Sequence, residues 1–154
     1  MRHFILIFLL GTTLQLFAQH TAIERSKHFN LEKGIAIQGY DPVSYFSINK
    51  PTKGNSNIST NYQDVVYYFS SEANKKQFLA NPSKYEPQYG GWCAFAMGDY
   101  GKKAEVNPET YKIIDAKLYL FYNAYFNNTL NSWNKDEKNL KAKAEKNWPS
   151  IINK

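Results

Sequence analysis

One cysteine, Cys93, in a chain of 154 residues that carries 3 Trp, 12 Tyr and 10 Phe, allows no internal disulfide. A fold built from this chain has to be held by its core alone, and each buried aromatic ring contributes about 150–250 Å² to that core. The length suits one domain with a core of ordinary size. The cysteine stands in Tyr89-Gly90-Gly91-Trp92-Cys93-Ala94-Phe95-Ala96-Met97-Gly98. Its paired glycines permit backbone angles closed to other residues, and the small or apolar residues that follow predict a short buried helix. Cys93 then falls in the first turns of that helix, where the amide dipoles favour a thiolate. Met97, four residues on, brings a second sulfur to the same face. The plainer reading, and the favoured one, is that a lone cysteine beside Trp92 and Phe95 serves as a small buried hydrophobe.

The first residues read as a leader rather than as part of the fold. Met1-Arg2-His3 is a short basic start, residues 4–10 are an unbroken apolar run, and residues 14–18 add a further apolar stretch ending in Ala18. This is the pattern of a secretory signal peptide over 1–18, too short to span a membrane once Thr12, Thr13 and Gln15 are counted. The expected product is an exported protein, periplasmic or extracellular, with no stable membrane anchor. The formal charge of +6 would suit nucleic acid in a cytoplasmic chain; export argues against that partner, and the lysines of 135–146 read as the solvated face of a helix.

Residues 19–33 are polar and without period, so they predict a flexible lead-in whose histidines, His20 and His28, are poor metal ligands. The domain proper is expected over 34–150. Ile35-Ala36-Ile37 predicts a short strand, and Asp41-Pro42 predicts a capped helix start bearing Val43, Tyr45 and Phe46. Residues 50–60, rich in Gly, Asn, Ser and Pro, predict a loop. Gln63-Asp64 and Asp115-Ala116-Lys117 each lie between β-prone runs and predict hairpins. Ser70-Ser71 with Glu72 predicts a helix cap, and Asn81-Pro82 its stop. Residues 102–106 predict an edge strand, Asn107-Pro108-Glu109 one helical turn, and the chain from Asn123 a helical region with a weak point at Asn134. Leu140, Ala144 and Trp148 recur at four-residue spacing up to Pro149, which is expected to end that helix. Trp133 and Trp148 read as clamps onto the domain. The fold class is α+β: a small antiparallel sheet with short helices packed on it, one compact domain with a C-terminal helical segment.

Several of these stretches together resemble the YHS-domain family. They are Gly39-Tyr40-Asp41-Pro42-Val43-Ser44-Tyr45-Phe46, Tyr67-Tyr68-Phe69-Ser70-Ser71-Glu72-Ala73-Asn74, and the run from Asn81-Pro82 through Gly90-Gly91-Trp92-Cys93-Ala94. Ile114-Asp115-Ala116-Lys117-Leu118-Tyr119-Leu120, Trp133-Asn134-Lys135-Asp136 and Asn147-Trp148-Pro149 extend the likeness over nearly all of the chain beyond the leader. It is closest to the stand-alone exported branch. The resemblance implies a domain that elsewhere occurs in copper-transporting ATPases and some hydroxylases and is associated with metal binding through cysteines. Metal-associated members carry cysteines where this chain has Ser44, Ser70 and Asn74, and Phe69 stands between Tyr68 and Ser70 where the name-giving histidine is expected.

Those departures remove a thiolate cage. A tetrahedral zinc site needs about four N or S ligands, and residues 34–150 hold no histidine. What remains is a low-coordinate soft ion, Cu(I), with Cys93 and Met97 as donors. Catalysis has less support: a cysteine nucleophile wants a nearby base, thiol exchange wants a second cysteine, and Gly90-Gly91 has neither the lysine nor the spacing of a phosphate loop. The expectation is a non-catalytic binding or accessory module, for a metal ion or a small apolar ligand in an aromatic pocket. The alternative is a structural or interaction domain that docks on a partner protein.

Overall fold

The computed structural model describes residues 24–153; the leader expected at 1–18 lies outside them. Two hairpins form the frame. Strand β3 (Asn55–Tyr62) pairs antiparallel with β4 (Val65–Phe69) across Gln63-Asp64, and β5 (Asn107–Ile114) pairs with β6 (Lys117–Phe121) across Asp115-Ala116. All four turn residues have positive φ, between 50° and 64°, which is the handedness that matches the twist of the flanking strands. Two short strands, β1 (Leu31–Glu32) and β2 (Ile35–Ala36), extend the first hairpin into a sheet of order β1-β2-β4-β3. The β2–β4 pairing, through Ile35 and Val66, is parallel and departs from the antiparallel rule of the rest.

Strand β6 is the wall between two cores. Its alternating side chains send Leu118 and Leu120 into one cluster with Val43, Tyr45, Val65, Tyr67, Phe69 and Phe78, and Tyr119 and Phe121 into a second with Met97, Trp133, Leu140 and Ala144. Helix α1 (Ser44–Ser47) and helix α2 (Glu72–Ala80) close the first. Ser71 caps α2 by accepting from the Asn74 amide at 3.1 Å, and Phe78 meets the Tyr67 and Phe69 rings at 4.6 and 5.3 Å. Helix α3 (Pro82–Tyr85) follows at the Asn81-Pro82 stop. The second core lies between β6, helix α4 (Ala94–Asp99), helix α5 (Thr129–Lys135) and the long α6 (Glu137–Ile152). Gly98 lets α6 approach, since a Cβ there would stand 2.4 Å from the Leu140 carbonyl oxygen. The result is an α+β domain.

Several local expectations give way to tertiary pairing. The loop expected at 50–60 is largely β3, a polar edge strand whose partner supplies the apolar area; Gly54 sits where a Cβ would be 2.5 Å from the Tyr68 backbone. Residues 102–106 are irregular, and Asn107-Pro108-Glu109 opens β5, with the Asn107 side chain accepting from the Glu109 amide at 2.9 Å. The helix expected from Asn123 begins only at Thr129. Before it a tight hairpin, β7 (Asn123–Ala124) and β8 (Asn127–Asn128), turns through the exposed pair Tyr125-Phe126 at φ 50° and 64°. The helical break falls at Asp136. Pro149 lies inside α6, where it removes one backbone bond near the end, while Trp148 and Ile151 stay packed on the second core. The flexible lead-in expected at 19–33 is, over 24–33, docked on the body. Arg25 bridges to Glu86, the Asn30 amide donates to Gly90 O at 2.8 Å, and Trp92 Nε1 donates to His28 O at 2.7 Å.

Candidate functional site

Ser44, Ser70 and Asn74 converge on one residue, Asp41. Asp41 is fully buried. Its Oδ1 accepts from the Val43 amide at 2.9 Å, and its Oδ2 accepts from the Ser70 amide at 2.8 Å, Ser70 Oγ at 2.6 Å and Asn74 Nδ2 at 2.6 Å. Ser44 Oγ donates to the Asp41 carbonyl at 2.8 Å. Ser70 and Asn74, with the Val43 amide, thus saturate the acid while Ser44 holds its backbone carbonyl, and the four donors to the carboxylate stand in for the cation a buried carboxylate otherwise needs. The helix expected to be capped by Asp41 starts only at Ser44, with Val43 as its N-cap and no side-chain cap; Asp41 Oδ1 instead holds the turn before it through the Val43 amide, and Oδ2 ties the first motif to the start of α2.

The two sulfurs lie four residues apart, as expected, but on opposite sides of the β6 wall. Cys93 is the residue before α4 and packs in the first core, whereas Met97 packs in the second, and neither has any exposure. The thiol is fully engaged. Thr129 Oγ1 donates to Tyr122 O at 3.0 Å, so the Cys93 S–H donates to Thr129 Oγ1 at 3.5 Å while its sulfur accepts the Tyr122 amide at 3.4 Å. That pattern suits a protonated thiol knitting α4, β6 and α5 together. Among the described residues no group of three or more His, Cys, Asp or Glu is placed to hold a metal ion.

The open site is elsewhere. Tyr89, Gly90 and Gly91 are consecutive left-handed residues with φ of 57°, 61° and 84°. The cost of such a conformation at the bulky Tyr89 is on the order of 1–3 kcal/mol. Gly90 is required here because a Cβ would meet His28 O at 3.1 Å and the Trp148 ring at 3.2 Å. The turn forms one wall of a cleft of about 310 Å³, closed by Phe29 from the docked N-terminal segment and by Glu145, Trp148 and Pro149 from α6. Tyr89 is 5% exposed, and its hydroxyl has no hydrogen-bond partner. Burial pushes its pKa up, and the neighbouring Tyr119 and Glu145 push it further, though neither reaches hydrogen-bonding geometry. Across Phe29 and Trp148 lies a second hollow of about 290 Å³ that includes Arg25 and His28, whose Nδ1 is also buried without a partner.

Sequence reasoning placed Trp148 as a clamp and passed over Tyr89 as an ordinary member of the central stretch. The signal was present in one form: a large aromatic directly before Gly-Gly, where a left-handed turn has to begin. Phe29 and His28 gave no signal, because their role depends on docking against Gly90 and Trp92. Among the described residues no helix is long and apolar enough to cross a membrane. Comparison with family models, with curated proteins and with solved structures returns no match to this chain.

Proposed function

We propose that this chain is an exported, non-catalytic binding module of the YHS type, and that its ligand site is the cleft between the Tyr89-Gly90 turn and Trp148. The observation that carries the reading is the cleft itself, about 310 Å³ in volume and walled by Phe29, Tyr89 and Trp148 beside a strained left-handed turn. Beneath it the Tyr89 hydroxyl is buried without a partner, a state that costs about 1–3 kcal/mol. The aromatic walls, Phe29, Tyr89 and Trp148, suit a small organic ligand with an apolar body. Export rests on the leader pattern of 1–18, which N-terminal sequencing of secreted protein checks.

Protein-observed NMR with a panel of small aromatic compounds, cationic, neutral and anionic, tests the site. The expected result is a set of shifts centred on the Gly90 amide and the Trp148 indole, lost in Trp148→Ala. A panel in which no compound of any charge moves these signals would remove the cleft as a ligand site.

The second reading is Cu(I) at Cys93 with Met97, favoured by two sulfurs one helical turn apart and shut from water. Against it stand the separate cores of the two side chains and the complete hydrogen bonding of the thiol. Anaerobic titration of the wild type, Cys93→Ser and Met97→Leu against a competing Cu(I) chelator decides it. Equal, weak binding by all three sinks the copper reading.

A further inference from the structure

We infer that strand β3 is the docking edge for a second copy of this chain, the two strands pairing antiparallel about a two-fold axis at Thr60. β3 is the last strand in the order β1-β2-β4-β3, and among the described residues no strand pairs with its outer side. Tyr62 and Val65 are register partners flanking a two-residue turn, the pair that such a turn hydrogen-bonds. Hydrogen-bonded pairs alternate with non-bonded ones along an antiparallel ladder. Thr60 and Tyr62 therefore spend their amides and carbonyls on their partners Tyr67 and Val65, while Ser59 and Asn61 turn theirs outward. Natural edges are blunted by charge, proline or short length. The opposite edge of this sheet is so protected, since β1 is two residues long and carries Glu32. β3 is not: residues 54–63 hold no charge and no proline in a chain that is 21% charged. Its one irregularity lies between Asn55 and Ser59, which leaves 59–62 regular.

The edge is complementary to itself. With Thr60 on the axis, Ser59 faces the second copy's Asn61 and Asn61 faces its Ser59, and each pair exchanges two backbone hydrogen bonds, four in all. On the core-facing side Ile58 and Tyr62, both partly buried against the first core, come opposite the second copy's Tyr62 and Ile58. A β-branched residue across from an aromatic is a favourable cross-strand pair, and Thr60 meets its own copy as a Thr–Thr pair. The nearest charges in the chain on either side are Lys53 and Asp64. In this register Asp64 falls opposite Ser56 and Lys53 lies beyond the paired stretch, so no like charges are opposed. A two-fold contact uses the same edge on both copies and closes on itself, which limits the assembly to a dimer.

The paired stretch is short, so the contact belongs to the weak, transient class, with a dissociation constant on the order of 0.1–1 mM. Amide exchange by NMR and sedimentation equilibrium on the full chain test it. In dilute solution the Ser59 and Asn61 amides should exchange quickly and those of Thr60 and Tyr62 slowly. As concentration rises through the dissociation constant, the first two should gain protection while a dimer appears in the centrifuge. Ser59→Pro removes one outward N–H from each copy and none of the bonds to β4, and should weaken the dimer at least about tenfold. Charge tests the register at low salt. Ser59→Lys with Asn61→Lys opposes like charges across the axis, as does Ser59→Glu with Asn61→Glu; each double variant alone should be monomeric, and their equal mixture should dimerise. A wild-type chain that stays monomeric to about 2 mM, or Ser59 and Asn61 amides already protected in dilute solution, overturns the inference. So does a dimer that Ser59→Pro leaves intact, or a mixture of the charge variants that fails to associate.

Discussion

Asp41 and Tyr89 are both polar groups pressed out of water without a cation, and they differ in one respect. The Asp41 carboxylate accepts four hydrogen bonds, from Val43, Ser70 and Asn74. The Tyr89 hydroxyl makes none. Burial alone therefore does not mark a site. A saturated group has spent its bonding capacity on the fold and has nothing left for a ligand, whereas an unsaturated one costs free energy in the empty protein and has its capacity in reserve. The strained turn that holds Tyr89 adds to the contrast, since Tyr89 is left-handed and Asp41 is not.

The largest test of this comparison is base. Burial raises the pKa of Tyr45 and Tyr67 far above the ordinary 10.0, with Glu86 adding to the rise at Tyr67, and it raises that of Tyr89 as well. An acid whose folded pKa lies above its unfolded one stabilises the fold fully below the unfolded value and loses that contribution as pH climbs past it. Stability should therefore fall steeply above about pH 10, and absorbance titration should show these hydroxyls ionising only as the chain unfolds. Free ionisation in the folded state would contradict the burial.

Next in size is Asp41→Ala, which leaves the Val43 and Ser70 amides and the Asn74 side chain without an acceptor. The expected loss is about 3–5 kcal/mol by denaturant unfolding. A loss under about 1 kcal/mol would mean that the node is ornamental and the comparison unsound.

Cys93 is an intermediate case, a saturated group of small size. Cys93→Ala should cost about 1–3 kcal/mol as a small cavity, and the wild-type thiol should resist alkylation until the protein unfolds. Rapid modification of the native protein would place Cys93 with the open groups instead.

The smallest change is the one that separates the two regions most sharply. Tyr89→Phe removes a hydroxyl with no partner, so thermal and denaturant unfolding should show no loss and a gain of up to about 1 kcal/mol. The same substitution at Tyr45, whose hydroxyl donates to Pro108 O at 2.9 Å, should cost about 1 kcal/mol. Equal losses at the two sites would show that Tyr89 is bonded after all.

What the sequence determined by itself was local chemistry. Gln63-Asp64 and Asp115-Ala116 between β-prone runs read as hairpin turns, Ser71 as a cap, Asn81-Pro82 as a stop, and Leu140 with Ala144 as a buried helix face. Each depends on residues within a turn or two of one another, where propensity and periodicity act directly. The tertiary structure decided what distant partners control. Residues 55–60 became a strand because Val65–Phe69 offered a ladder, and Tyr125-Phe126 entered a hairpin that local propensity disfavours. Residues 24–33 docked because Gly90 leaves room for their backbone. Cys93 and Met97, one helical turn apart in the chain, were parted by the strand that runs between two cores. Ser70 and Asn74 found a common acceptor in Asp41 Oδ2, while Tyr89 was left without a partner. Hydrogen-bond saturation of a buried group is a sum over contacts from several remote segments. No short window of sequence contains that sum, so the site became legible only once the chain had closed on itself.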